Sequence, residues 1–365
     1  MRILLVSNMY PSEEFPSYGV FVKNTESILT DHGYKVDRAV MQKSSGKTAK
    51  LIQYILHFLK VILMGATGNH DVIYVHYASH NALPLLLLKK IKKNVVIYTN
   101  VHGSDVVPEV ASQEKYQPYV KRLLEASAKV ITPSNYYRNL VAEKYSLDKG
   151  KIHVFPSGGV NKKVFYNMPD REAALKELKL SPELRYIGFV GRLDVGKGWD
   201  IFLKALKGVK DNGSLNGYKA IVVGSGKEQG KYEQMVKEFG LQEDIVYYPL
   251  LKQDMLSKVY NSIEVFCFPT TRKGESLGLV GLEAMACGVP VIGSRIGGLL
   301  DYIREDENGM LFSVGDEKEL EQKLTSYLNY DEMRRDAMKK HALATAEKYE
   351  VNSIKSTLVE IFTKK

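Results

Sequence analysis

Cysteine is nearly absent from this chain of 365 residues: Cys267 and Cys287 are the two it has, and both fall in apolar stretches that read as core. A disulfide scaffold is therefore not expected, and a reducing, cytoplasmic setting is. No uninterrupted apolar run reaches the roughly 18 residues that span a bilayer. The opening segment, Met1 to Asn8, is a short apolar run without a small-residue cleavage site, so it reads as a first buried strand rather than a signal peptide. No Cys/His grouping has zinc spacing, and no Ser-His-Asp arrangement stands out. The Gly-x4-Gly-Lys-[Ser/Thr] loop is missing, as is a Gly-x-Gly-x-x-Gly after the first strand of either half. P-loop and nicotinamide chemistry thus lack their signatures, and no metal site or cofactor is expected.

Acidic residues are scarce in one region. From Arg38 to Ser104 the only one is Asp71, against nine Lys and Arg. Residues 1–168 carry 22 Lys+Arg and 12 Asp+Glu, whereas the remaining 29 and 30 nearly cancel. The first half is thus built to face something anionic. Within it, Lys43, Lys47 and Lys50 precede the apolar segment Leu51 to Met64, and Leu83 to Leu88 leads into Lys89, Lys90, Lys92 and Lys93. The Leu51 segment reads as too short to span a bilayer. Either these segments pack on a sheet with a solvated lysine edge, or they lie on an anionic membrane face.

Twelve short apolar runs read as strands, six in each half, with helical stretches between them. In the first half they start at Ile3, Val36, Val72, Val95, Val130 and Ile152; in the second at Ile187, Ala220, Ile245, Val265, Val291 and Met310. Alternation of strand and helix argues two doubly wound parallel sheets, whose ligands sit beyond the carboxyl ends of the strands. The expected divisions are residues 1–165, 166–345 and a closing helix in 346–365, with the link near Gly158 to Arg171.

The chemistry concentrates after particular strands. Residues 270–298 follow an apolar strand, and Leu279 to Ala286 reads as a buried helix between Gly278 and Gly288. Glu275 precedes that helix and Glu283 lies inside it. The free amides of its first turn favour an anion, and the carboxylates suit ligand hydroxyls. Together they point to a nucleotide sugar. Earlier in the same half, Gly191 to Gly198 offers Arg192 as a planar fork for phosphate and Lys197 as a point charge. Val223-Gly224-Ser225-Gly226 is another glycine turn after a strand. In the first half, Gly19 could bring its loop close to a phosphate or be a plain turn glycine, and His102 stands at a strand's carboxyl end. His76 and His80 could face an acceptor. Ser134 reads as an N-cap for a helix over Asn135 to Tyr145.

The block Gly191 to Gly198, followed by Glu275-x7-Glu283 and Gly288-Val289-Pro290-Val291-Ile292, resembles the retaining glycosyltransferases of family 4. Pro156 to Asn161 is similar to the family's linker motif, with departures at Ser157, Gly159 and Asn161. The resemblance runs from Gly19 to the final helix. It implies the GT-B fold, α/β, with two facing Rossmann-like domains, an interdomain cleft and a last helix returning to the first domain. It implies that Arg192 and Lys197 bind the donor diphosphate, Glu283 the ribose and Glu275 the sugar, helped by the amides of Ser276, Leu277, Gly278 and Leu279. His102 would stand near the donor sugar, Gly19 in the phosphate loop, Gly224 by the donor, and the base near Tyr248 and Leu250. Transfer would retain configuration without a metal. UDP is expected ahead of GDP, with a lipid-linked glycan acceptor for the basic first half, no nucleic acid, and a peripheral position at the inner membrane face. A soluble acceptor, a nucleotide-sugar 2-epimerase and a non-catalytic binding subunit are the competing readings.

Overall fold

The computed structural model describes residues 1–365 apart from Pro16, Ser17, Ser44, Ser45, Lys364, Lys365 and the side chain of Lys47. Part of the loop before Gly19 and one lysine of the first basic cluster therefore lie outside the described residues. The chain divides into two units, Met1–Gly159 with Ile354–Lys365, and Val160–Ser353. Val160 and Phe165 pack in the core of the second unit, and Val160 N–H donates to Tyr349 O, so the chain enters that unit at Val160 and leaves it after Ser353.

The first unit runs β1 (Arg2–Tyr10), α1 (Val20–Asp31), β2 (Lys35–Gln42), α2 (Lys47–Thr67), β3 (Val72–His76), α3 (Ala78–Ile91), β4 (Ile97–Asn100), α4 (Ala111–Glu114), α5 (Gln117–Ala126), β5 (Lys129–Thr132), α6 (Asn135–Tyr145) and β6 (Ile152–Val154). Its sheet has the order β2-β1-β3-β4-β5-β6, all parallel. Strands such as β3, buried at every residue, need cover on both faces, and crossover helices supply it. Helices α2, α3, α5 and α6 close over Leu4, Val6, Ile73 and Val75. Ser134 caps α6 as expected, accepting from Tyr137 N–H at 3.2 Å.

One expectation is corrected here. The apolar segment continues through Gly65, Ala66 and Thr67, making α2 a helix of 21 residues. By length and composition Thr48–Thr67 is sufficient to cross a membrane, with mean hydropathy 1.4. Gly65 and Thr67 are poor helix formers, so packing carries the helix on, with Gly65 set against Leu88 of α3.

The second unit runs α7 (Arg171–Glu177), β7 (Arg185–Val190), α8 (Trp199–Asp211), β8 (Tyr218–Val223), α9 (Gln229–Glu238), β9 (Ile245–Tyr248), α10 (Gln253–Ser262), β10 (Val265–Phe268), α11 (Leu279–Ala286), β11 (Val291–Ser294), α12 (Leu299–Tyr302), β12 (Gly309–Phe312), α13 (Glu317–Leu328) and α14 (Glu332–Glu347). Its parallel order is β12-β11-β10-β7-β8-β9, so the direction of winding reverses between β7 and β10. The final helix, α15 (Val351–Thr363), belongs from Ile354 onward to the first unit. There Phe362 meets the rings of Tyr74 and Tyr98, each at 5.1 Å, and Lys129 Nζ donates to Ile361 O at 2.5 Å. Both cysteines are buried and free.

Candidate active site

In an open parallel sheet the loops at a switch point diverge, leaving a crevice at the carboxyl ends of the strands. In the second unit those loops follow β7 and β10, and they carry Arg192, Lys197 and Glu275. Two hydrogen bonds clasp them: Thr271 N–H and Thr270 Oγ1 both donate to Gly196 O, at 2.9 and 3.2 Å. The clasp brings Lys197 to Glu275, whose Oε2 accepts from Nζ at 3.1 Å, with side chains 19% and 15% exposed. Nζ keeps further N–H groups and Glu275 a second oxygen for a ligand.

Arg192 is placed differently. Its guanidinium pairs with Asp194, two residues on, and the side chain is 70% exposed. Asp194 Oδ1 also accepts Lys227 N–H at 2.9 Å. An exposed pair of this kind is worth at most about 1 kcal/mol, so an arriving phosphate competes with it easily. Asp194 was not among the expected site residues, although it sits in the quoted motif.

Gly278 enters α11 with φ of 78°, and its carbonyl accepts from the buried Tyr302 hydroxyl at 3.0 Å. Leu277 is buried, and Ser276 lies between it and Glu275. The turn from Glu275 to Leu277 is braced from behind by Gly298, whose N–H donates to Glu275 O at 3.0 Å. A Cβ on Gly298 would stand 2.4 Å from Leu277 Cα, so only glycine fits. This brace was missed from the sequence; the glycine pair Gly297-Gly298 after β11 was its signal. Glu283 lies one turn into α11, where burial of its carboxyl pushes the pKa up to about 7. Gly224 follows β8, packed so tightly on Gly191 O that its role is explained by its own chain. Tyr248 turns its hydroxyl to Leu178 O at 2.7 Å and packs in the core, while Leu250 is exposed.

The first unit has its own cluster where β3 and β4 end. His76 Nδ1 and His102 Nε2 are 2.9 Å apart with rings stacked, and Phe21 lies 4.6 Å from the His102 ring. Burial lowers the His102 pKa to about 3, so the imidazole is neutral. Asp105, absent from the expected site, is fully buried and holds this corner together. Its carboxylate accepts from the amides of Ala78, His102 and Gly103 at 2.9–3.0 Å, tying the ends of β3 and β4. Burial raises its pKa, and the amides pull it back. Tyr77, at φ of 64°, is a strained residue beside His102. Gly19 has φ of 77°, and a Cβ there would meet Met9 C at 2.7 Å, so its own strand demands a glycine.

Two Rossmann-like units, with a lysine, an arginine and a helix N-terminus gathered at the switch point of the second, define the class of GT-B glycosyltransferases. The chain belongs to family 4 of these enzymes: residues 170–343 match the family described as Glycosyl transferases group 1, and residues 24–159 match Glycosyltransferase Family 4. A D-inositol 3-phosphate glycosyltransferase of Segniliparus rotundus is 26% identical over 80% of this chain and 72% of its own length. An uncharacterised 41.2 kDa protein in the cps region of Klebsiella pneumoniae is 27% identical over 98% and 95%. The Anabaena protein HepE, solved in complex with UDP, has a TM-score of 0.79 at 17% identity, covering all of both chains.

Proposed function

We propose that the protein is a retaining, metal-independent glycosyltransferase that moves a hexose from a nucleotide-diphosphate sugar, UDP first and GDP second, to a hydroxyl of a lipid-linked glycan in cell-surface polysaccharide synthesis. The observation that carries the reading is the Lys197–Glu275 pair beside the first turn of α11. A cation for phosphate and a carboxylate for hydroxyls then stand side by side, as a sugar diphosphate requires.

In the reaction so read, the bond between the anomeric carbon and the diphosphate oxygen breaks and the acceptor oxygen takes its place on the same face. The departing diphosphate gains negative charge, met by Lys197, Arg192 and the amides at the start of α11. The acceptor proton passes to the leaving phosphate oxygen. Glu275 orients the sugar and Glu283 the ribose. Neutral His102 hydrogen-bonds near the sugar without adding charge.

The UDP held by HepE supports the choice of base, the cps-region relative supports a surface polysaccharide, and the surplus of positive charge in residues 1–168 supports a lipid diphosphate acceptor at the cytoplasmic membrane face. The inositol phosphate relative favours a second reading, a small soluble acceptor. Radiolabelled UDP- and GDP-sugars offered with membrane extract or with soluble polyols, in the presence of EDTA, test the proposal. Label in the organic phase with an anomeric configuration matching the donor is expected. Label on polyols alone, an inverted product or a requirement for added metal overturns the corresponding part.

A further inference from the structure

Helix α2 is packed on one side and bare on the other. Val61 and His57 are buried, His57 Nε2 stands 2.8 Å from Asn81 Oδ1, and Gly65 lies against Leu88 of α3. On the outward side Leu51, Ile55, Leu59 and Leu63 repeat at four-residue spacing, flanked by Ile52 and Leu56, and all six are more than half exposed. Neighbouring α3 adds Leu83, Leu87 and Ile91 at the same spacing, all exposed. Soluble monomers rarely leave so continuous an aliphatic strip in water. Lysines border it. Lys50, Lys60, Lys90 and Lys93 are exposed, and from Arg38 to Ser104 the single carboxylate, Asp71, accepts the Arg2 N–H. Lys60 also lines a cavity of about 380 Å³ that opens beside Leu56, where the other cation, Arg38, is paired with the buried Glu26.

We propose that the exposed aliphatic face of α2 and α3, with its lysine border, is the surface by which this protein docks flat on an anionic lipid bilayer. The inner face of α2 is committed to the first unit, so the helix lies in the interfacial plane instead of crossing it. The aliphatic side chains enter the acyl boundary while the lysines meet lipid phosphates. A second copy of the chain is the poorer occupant, because it would bring the same lysines against these. The inference deepens the reading of a lipid-linked acceptor, yet vesicle binding is measured without donor or acceptor, so its failure leaves the transfer reading standing.

The test is co-sedimentation with phosphatidylcholine vesicles, with and without phosphatidylglycerol. Wild type should sediment only with the phosphatidylglycerol vesicles. Combining Ile55→Ser, Leu59→Ser and Leu63→Ser should lower the partition by about tenfold or more, and Lys60→Glu with Lys90→Glu by about fivefold per lysine. Retained helicity and UDP affinity show that the variants are folded; should the serine variant misfold, the glutamate pair decides. Equal binding to both vesicles, unchanged binding of the variants, or a wild-type dimer dissociated by the serine substitutions overturns the proposal.

Discussion

Lys197 donates from Nζ to Glu275 Oε2 at 3.1 Å across 78 residues of sequence. The contact exists because β7 and β10 are adjacent in the sheet and their loops are clasped at Gly196. It joins the group proposed for the diphosphate to the group proposed for the sugar.

The pair should separate into two functions. Lys197→Met is expected to weaken UDP binding by about ten- to a hundredfold, the worth of a charge-assisted hydrogen bond. Glu275→Gln should leave UDP affinity within about threefold and lower turnover by about 10²–10³-fold. Calorimetry and initial rates read the two, and the double variant should be less than additive because the residues touch. Near-normal turnover of Glu275→Ala would remove the assignment.

Glu283, as the group proposed for the ribose, should make donor binding depend on pH. Its pKa, raised by burial to about 7, lies above the ordinary 4.5. In the proposed binding mode ribose hydroxyls donate to the ionised form, so UDP affinity should rise as pH climbs through 7, by roughly tenfold over the two units around it. Glu283→Gln should flatten that rise. The ionised carboxyl opposes folding, so the cost grows from about pH 4.5 to pH 7 and is constant above. The Tm of Glu283→Gln should therefore gain on wild type over the same window, measured without ligand. Parallel curves for the two proteins would contradict both statements.

His102 should not titrate in the working range. With a pKa near 3 from burial, its Cε1–H resonance is expected to hold one chemical shift between about pH 5 and pH 8. His102→Ala should lower turnover and leave UDP affinity unchanged, since the donor nucleotide contacts are assigned to the second unit. A shift moving with a midpoint near 6.5 would show an imidazolium and change its role.

Asp105→Ala should cost more than a surface change. It strands three buried amides at the ends of β3 and β4, about 1–3 kcal/mol by urea unfolding. Turnover should fall with it, because the loop carrying His102 loses its anchor. Asp105→Asn, which retains one acceptor oxygen, should recover part of the loss. A stability equal to wild type would mean that water replaces the carboxylate at these amides.

Strand positions were legible because strands covered on both faces are apolar along most of their length: each of the twelve predicted runs overlaps a strand, with Val95, Val96 and Phe155 falling just outside. The α11 boundaries were equally plain, since a glycine in the left-handed region starts the helix and Gly288, at φ of 80°, follows its end. Chemical type also identified Arg192, Lys197, Glu275 and Glu283 as candidates, because phosphate needs cations and hydroxyls need carboxylates.

Partners were not legible, because they depend on which strands become neighbours. Lys197 meeting Glu275, Asp105 reaching the Ala78 amide, and Gly298 bracing the Glu275 turn are all produced by chain segments folding back on one another. The length of α2 was underestimated for a related reason: hydropathy dips at Gly65, while backbone hydrogen bonding does not. By itself the sequence determined the two parallel sheets and the chemical inventory, through local apolar pattern and residue type. Only the tertiary structure decided which charges meet, which carboxyls are buried enough to titrate near neutrality, and which aliphatic face is left bare, since each is set by packing between segments far apart in the chain.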